Sequence, residues 1–279
     1  MFQHIIEADW LMDHLQDENV RIVDCRFYLG ERQKGYREYQ EEHIAGAVYA
    51  DLERHLSGGV GQHGGRHPLP DIDEFVAFIE NLGISPDMTV VAYDSQAGAM
   101  ASRFWWLMKY IGHDRVYVLN GGFPNWKKHS FPVSAEQPLF NKTVYPSSIQ
   151  LSMLAQMEEV KDRLNDGKTL LIDSREEKRY AGIEEPVDSV AGHIPGAINK
   201  FWREALDEHG MWKEPEELQK RFAEAAGHEN IIVYCGSGVT ACPNVLALTE
   251  LGFQNVKLYL GSWSDWITYE GNLIATDID

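Results

Sequence analysis

Apolar residues in this chain gather into short runs without polar alternation. Examples are Arg21-Ile22-Val23-Asp24, Thr89-Val90-Val91-Ala92-Tyr93, Thr169-Leu170-Leu171-Ile172-Asp173 and Asn230-Ile231-Ile232-Val233-Tyr234. Strands covered on both faces read this way, whereas half-exposed strands alternate. Between them lie stretches with helical character: Asp73–Asn81, Leu151–Asn165 and Glu214–Ala226, the last opening on Glu214-Pro215-Glu216-Glu217. Proline and acids suit the first turn of a helix, where amides are unpaired and the dipole is positive. Strand, helix and strand in succession predict an α/β fold with mainly parallel sheets flanked by helices. An α+β mixture with antiparallel pairs is the competing arrangement.

The pattern also occurs twice. Ile22-Val23-Asp24-Cys25-Arg26 returns as Leu171-Ile172-Asp173-Ser174-Arg175, and His43-Ile44-Ala45-Gly46-Ala47 as His193-Ile194-Pro195-Gly196-Ala197. Val90–Asp94 then corresponds to Ile231–Cys235, and Gly121–Trp126 to Gly261–Trp266. Four features in the same order at a nearly constant shift identify two homologous halves. The expected domains are residues 1–136 and 151–279, with 137–150 as linker. The region from Lys127 to Gln150 carries Pro132, Pro138 and Pro146, so the connection is expected to be semi-rigid.

Composition narrows the function classes. With 25 Lys and Arg against 43 Asp and Glu, the formal charge of the 279-residue chain is −18. That sign disfavours general binding to nucleic acid or anionic lipid. An anionic substrate would need a local cationic site built from a few arginines. No apolar stretch approaches the roughly 20 residues of a membrane span. The N-terminal residues lack a basic region followed by an apolar segment, so no secretory signal is read and a cytoplasmic setting is expected. Three scattered cysteines (Cys25, Cys235 and Cys242) suit neither a disulfide scaffold nor a zinc site. No cofactor and no metal is expected.

One segment carries chemistry. The run Ile231–Tyr234 ends in Cys235-Gly236-Ser237-Gly238-Val239-Thr240, followed by a helical stretch from Ala241 to Leu251. Sites in parallel sheets form beyond the carboxyl ends of strands. Two glycines let the backbone curl until successive amides point inward as an anion-holding nest, to which the helix N-terminus adds positive charge. A cysteine at the mouth of such a loop should favour its thiolate and act as a nucleophile. The bland alternative is a buried strand-end cysteine.

The Cys235–Thr240 loop, with Asp173-Ser174-Arg175-Glu176-Glu177-Lys178-Arg179-Tyr180 and Gly192-His193-Ile194-Pro195-Gly196-Ala197, resembles the rhodanese superfamily, in particular its tandem-domain sulfurtransferases. The resemblance covers nearly the whole chain and implies two rhodanese-like domains, of which the second is catalytic. Asp94 stands opposite Cys235 in the first half and cannot carry sulfane sulfur. The implied reaction moves sulfane sulfur from 3-mercaptopyruvate or thiosulfate, through a Cys235 persulfide, to a thiol, cyanide or protein acceptor. Arg179 would meet the anionic end of the small donor. The six amides from Cys235 through Gly236, Ser237, Gly238 and Val239 to Thr240 would hold the transferred sulfur. Alone, Arg179 reads as a surface ion pair with Glu176 or Glu177.

Other positions carry less. Asp51, His67 and Ser237 match a set that would assist protonation of a leaving enolate; for His67 the plain alternative is an ordinary loop histidine. Asp173 and Arg175 read as structural, Cys25 likewise, and Cys242 as a helix-packing residue, with a resolving thiol as the alternative. Trp105, Trp106, Trp126, Trp263 and Trp266 read as core, with Trp202 and Trp212 covering the pocket. A Cys-dependent phosphatase would need an arginine at position 241, which is Ala241. A non-catalytic binding module is the third class, which the intact Cys235 loop opposes. On the donor, the uncharged Gly236-Ser237 pair suits 3-mercaptopyruvate; thiosulfate is the alternative main donor. The family's second substrate arginine is absent, since Val187 follows Glu185-Pro186 in a segment one residue short.

Overall fold

The computed structural model describes residues 2–276; Met1 and residues 277–279, the outermost positions of the two expected domains, lie outside the described residues. The chain forms two compact units. The first holds the residues up to Gly58, Pro70–Gln150 and Leu206–Trp212; the second holds Gly59–Leu69, Leu151–Ala205 and the chain from Lys213. Each unit therefore takes one short segment from the other half of the sequence.

The first unit contains strands β1 (Ile5–Ile6), β2 (Val20–Asp24), β3 (His43–Ile44), β4 (Val48–Tyr49), β5 (Thr89–Tyr93), β6 (Val116–Leu119) and β7 (Val133–Ser134). Five of them form a parallel sheet in the order β1-β6-β5-β2-β4, while β3 and β7 make a separate antiparallel pair. Helices α1 (Ala8–Asp13), α2 (Lys34–Glu41), α3 (Ile72–Asn81), α4 (Ala99–Tyr110) and α5 (Gly122–Lys128) accompany them. Asp71 caps α3 by accepting the Glu74 amide at 3.0 Å. Ile22, Val91, Tyr93 and Trp126 lie in its core.

The second unit repeats the plan. Its parallel sheet runs β10 (Ile198–Asn199), β9 (Thr169–Asp173), β11 (Asn230–Tyr234), β12 (Val256–Tyr259) and β8 (Leu154–Ala155). Its helices are α6 (Met157–Arg163), α7 (Glu177–Tyr180), α8 (Pro215–Arg221), α9 (Cys242–Glu250) and α10 (Ser262–Trp266). The register repeats too: Asp24 lies opposite Tyr93 and Asp173 opposite Tyr234. In each half this puts the acid of the Asp-x-Arg motif beside the strand end that leads into the Asp94 or Cys235 loop. Parallel strands gather these ends on one edge of the sheet.

Two predicted helices are shorter than their sequences suggest. Leu151–Asn165 splits, because Leu154 and Ala155 pair with Leu258 and Tyr259 as an edge strand, and only Met157–Arg163 is α-helical. Glu214–Ala226 breaks at the buried Phe222 (φ −105°, ψ 26°), beyond which the chain tightens into a 3-10 turn over Ala223–Gly227. The five tryptophans assigned to the core are all buried. Residues 137–150 have no regular structure, yet Tyr145 is buried and donates its amide to Glu80. The Ser148 amide donates to the Ile111 carbonyl and the Phe140 ring stacks on the Arg21 guanidinium, so the connection lies fixed along the first unit.

Candidate active site

Cys235 follows the last residue of β11 and is buried. Its loop is tied down from the β12–α10 connection: Trp263 and Ser264 donate their amides to the carbonyls of Cys235 and Gly236 at 3.0 and 2.9 Å. Ser262 adopts φ +57°, uncommon for a residue with a side chain. Its hydroxyl accepts the Cys235 amide at 3.1 Å and donates to the Tyr259 carbonyl. Of the six amides expected to face the transferred sulfur, that of Cys235 is therefore already engaged. Those of Gly236, Ser237, Val239 and Thr240 donate to no acceptor among the described residues. Buried amides left unpaired by the protein are costly, and a site that must receive negative charge is where they persist.

The two loop glycines serve different needs. Gly238 has φ +74°, and a side chain there would begin 2.1 Å from the Leu260 carbonyl oxygen. At Gly236 the obstacle is cationic: a side chain would begin 2.9 Å from Arg66 Nη2 and 3.5 and 3.6 Å from the terminal nitrogens of Arg179. Two guanidiniums thus converge on Gly236, the residue after the cysteine. Arg179 is held through Nε and Nη2 by Glu185 and through Nη2 by Asp188, not by Glu176 or Glu177. Arg66 Nη1 binds the other oxygen of Asp188. Burial draws the Arg66 pKa downward, with Cys235 and Glu185 nearby acting against it.

Arg66 reaches this place because Gly59–Leu69 folds with the second unit. Gly64 donates its amide to Asp265 Oδ1 at 2.7 Å, Arg66 donates its amide to Ser264 Oγ at 3.1 Å, and the His63 ring stacks on Tyr269. His67 is brought to Ser237, with Nδ1 2.8 Å from Oγ. Asp51 lies in the first unit, where its carboxylate accepts the amides of Glu53 and Arg54 and the Tyr49 hydroxyl. Arg66, Ser262, Glu185 and Asp188 were not selected from sequence. The available signal was that Arg66 is the one Lys, Arg, Asp or Glu between Gly58 and Pro70, next to His67.

The remaining candidates are accounted for by local contacts. The Arg175 guanidinium makes a buried bidentate pair with Asp173 at 2.6 Å and donates to the Gly192 carbonyl; Arg26 does the same with Asp24 and Glu42. Burial, reinforced by Asp24 and Asp94, pushes the Cys25 thiol well above its ordinary range. The Cys242 thiol donates to the Gly238 carbonyl at 3.3 Å. Trp202 is half-buried at the start of a 3-10 turn in the second unit, whereas Trp212 is buried in the first, donating its amide to Asn120. Ala241, fully buried, fills the position where a phosphatase would need arginine.

The first unit shows what such a loop does with negative charge. The Asp94 carboxylate accepts the amides of Gln96, Gly98, Met100 and Ala101 at 2.7–2.9 Å. An internal anion thus satisfies amides that in the second unit stay unpaired. Among the described residues no helix is long and apolar enough to cross a membrane, and no cluster of three or more His, Cys, Asp or Glu could hold a metal.

The model of a family described as "Rhodanese-like domain" matches residues 7–129 and 156–269. A probable 3-mercaptopyruvate sulfurtransferase of Pseudomonas aeruginosa is 38% identical over 277 residues, covering 98% of this chain and 98% of its own. A thiosulfate sulfurtransferase of Mus musculus is 33% identical over 279 residues, covering 95% and 92%. Among solved structures, the 3-mercaptopyruvate sulfurtransferase from Leishmania major superposes with a TM-score of 0.83 at 30% identity, over 95% of this chain and 74% of that one.

Proposed function

The chain belongs to the rhodanese family, and from that premise we propose that it is a sulfurtransferase working through a persulfide on Cys235. The observation that carries the assignment is the Cys235 loop itself: a buried cysteine, four amides without an acceptor among the described residues, and two guanidiniums beside Gly236. The half from 151 to 279 is read as catalytic, 137–150 as linker and 1–136 as its non-catalytic counterpart, with Asp94 in place of the nucleophile.

The Cys235 thiolate attacks the donor's sulfane sulfur. A new S–S bond forms to Sγ as the donor's bond to that sulfur breaks, and the electron pair leaves with the remainder of the donor. With thiosulfate the leaving group is sulfite. With 3-mercaptopyruvate it is the pyruvate enolate, which must gain a proton at carbon. Amides of Gly236–Thr240 face the charge that accumulates on the transferred sulfur. A thiol, cyanide or protein acceptor then attacks the outer sulfur and restores the thiolate. A cytoplasmic setting suits this chemistry, because thiols are abundant there.

We take 3-mercaptopyruvate as the main donor. No cation stands within the Gly236-Ser237 part of the loop, and the His67–Ser237 contact at 2.8 Å offers a proton route that only the enolate needs. Thiosulfate is the second reading, favoured by the paired guanidiniums. Intact mass after incubation with each donor tests the assignment. The expected gain is one sulfur, about 32 Da, reversed by cyanide and abolished in Cys235→Ser, with Cys25→Ser and Cys242→Ser behaving as wild type. A phosphate ester that reacts while both sulfur donors leave the mass unchanged refutes it.

A further inference from the structure

The second unit holds a charged depression of about 640 Å³, lined by Lys200, Glu204, Lys213, Glu217, Lys220 and Arg221. Its walls come from the end of β10, the 3-10 turn Trp202–Ala205 and helix α8. On a chain whose formal charge is −18, cations outnumber acids in this lining. We propose that the depression binds a small molecule carrying a phosphate ester and free hydroxyls, the chemistry of a sugar phosphate. None of its lining residues belongs to the Cys235–Thr240 loop, so the site stands independently of the sulfurtransferase reading.

The walls are braced against one another. The Lys213 amide donates to the Ala205 carbonyl at 3.1 Å, and the Lys200 amide to the Asp173 carbonyl at 2.9 Å. Arg221 donates through Nη1 to Glu204 and through Nη2 to the Phe201 carbonyl, both at 2.6 Å. Its planar fork is thereby spent, and the guanidinium remains as fixed charge. Lys200 Nζ is engaged by Glu224 at 2.8 Å. The charges left over are the Lys213 and Lys220 ammoniums and the Glu217 carboxylate, none of which has a partner among the described residues. Glu217 and Lys220 stand three residues apart on α8 and so share a face. Lys213 is half-buried, and a charge partly withdrawn from water without a partner gains most from an arriving anion. Two free ammoniums match the dianion of a phosphate monoester. Lysine is a mobile point charge that suits phosphate, whereas a planar carboxylate calls for a free arginine fork. Glu217 would repel the phosphate itself, but as an acceptor it takes hydroxyl protons, the part an acid plays toward ribose in nucleotide sites. The volume falls within the roughly 300–1,000 Å³ of small-molecule pockets. The net charge of −18 works against a large acidic partner, which it repels at range.

The test titrates the full-length protein by calorimetry with ribose 5-phosphate, inorganic phosphate and ribose, at fixed ionic strength because salt screens exposed charges. Ribose 5-phosphate should bind at least about tenfold tighter than either inorganic phosphate or ribose. Combining Lys213→Gln with Lys220→Gln should weaken ribose 5-phosphate about tenfold or more, with the melting temperature of the unliganded protein unchanged. Should the pair fail to fold, Lys220→Gln alone, at an exposed position, carries the same test with a smaller loss. Glu217→Gln should narrow the preference for ribose 5-phosphate over inorganic phosphate. Arg66→Met, in the segment beside Gly236, should bind ribose 5-phosphate as wild type does. No binding of ribose 5-phosphate, or binding no tighter than that of inorganic phosphate, overturns the proposal. So does wild-type affinity in the lysine variants, or a loss in Arg66→Met, which would place the anion beside the Cys235 loop instead.

Discussion

Replacing Gly65 with alanine attacks the site through the backbone alone. Gly65 has φ +76°, and an added Cβ would lie 2.3 Å from the Gly261 carbonyl oxygen and 2.8 Å from Ser264 Oγ. The left-handed conformation costs a residue with a side chain about 1–2 kcal/mol. Relieving the contact requires the segment to withdraw, and the neighbouring bonds from the Gly64 amide to Asp265 and the Arg66 amide to Ser264 cannot both survive. Their loss adds about 1–3 kcal/mol, so docking weakens by roughly 2–5 kcal/mol in total. That corresponds to a fall of at least about thirtyfold in the docked population. Arg66 and His67 leave with the segment, while the sheet of the second unit keeps every strand. Hydrogen exchange should show lost protection at the Gly64 and Arg66 amides, together with a raised KM and lowered kcat. Gly59→Ala, at a position where a side chain meets nothing within 4 Å, serves as the silent control. Unchanged protection and unchanged kinetics in Gly65→Ala would refute the reasoning.

Asp94→Ala should destabilise the protein by about 3–5 kcal/mol in urea denaturation, since it strands four amides around a buried pocket; a loss under 1 kcal/mol would contradict this. Burial lowers the pKa of His4 to about 4, and burial also lowers those of His55 and His113. The folded chain therefore binds fewer protons than the unfolded one between the ordinary histidine pKa of about 6.5 and about 4. This contribution to stability is full above that window and lost as pH falls through it. The urea midpoint should drop from pH 7.5 to 5, and His4→Gln should drop less; equal slopes would remove His4 from the account. Ser237→Lys places a cation in the loop and breaks the His67 contact, so the ratio of kcat/KM for thiosulfate over 3-mercaptopyruvate should rise. An unchanged ratio would show that loop charge does not set donor preference.

The sheets were legible because their central strands are buried on both faces and therefore appear as unbroken apolar runs. Cys235 was legible because the glycines that shape its loop are adjacent to it in sequence. Leu154 and Ala155 were misread as helix, since two apolar residues at an edge look the same in either period, and their pairing with Leu258 and Tyr259 is a non-local fact. Arg66 is missed for the same reason in stronger form: nothing around it reveals that Gly59–Leu69 packs against Ser264 and Asp265. The Asp94 substitution announced the absence of a nucleophile in the first half. That its carboxylate would take up the amides of its own loop followed only from the fold.

The exchange of segments bears on the ancestry of the chain. A duplicated gene can ordinarily be parted again at the repeat boundary, each copy keeping a complete fold. Here a break at residues 137–150 would strand Arg66 and His67 with the inert copy, and Leu206–Trp212 with the active one. Each copy has surrendered to its sibling a piece it cannot reclaim without rebuilding its own loops. If sulfur transfer runs through Cys235 as proposed, selection for it also acts on the reading frame of the half that carries Asp94 instead, which is held in the lineage by the eleven residues of Gly59–Leu69 that it lends.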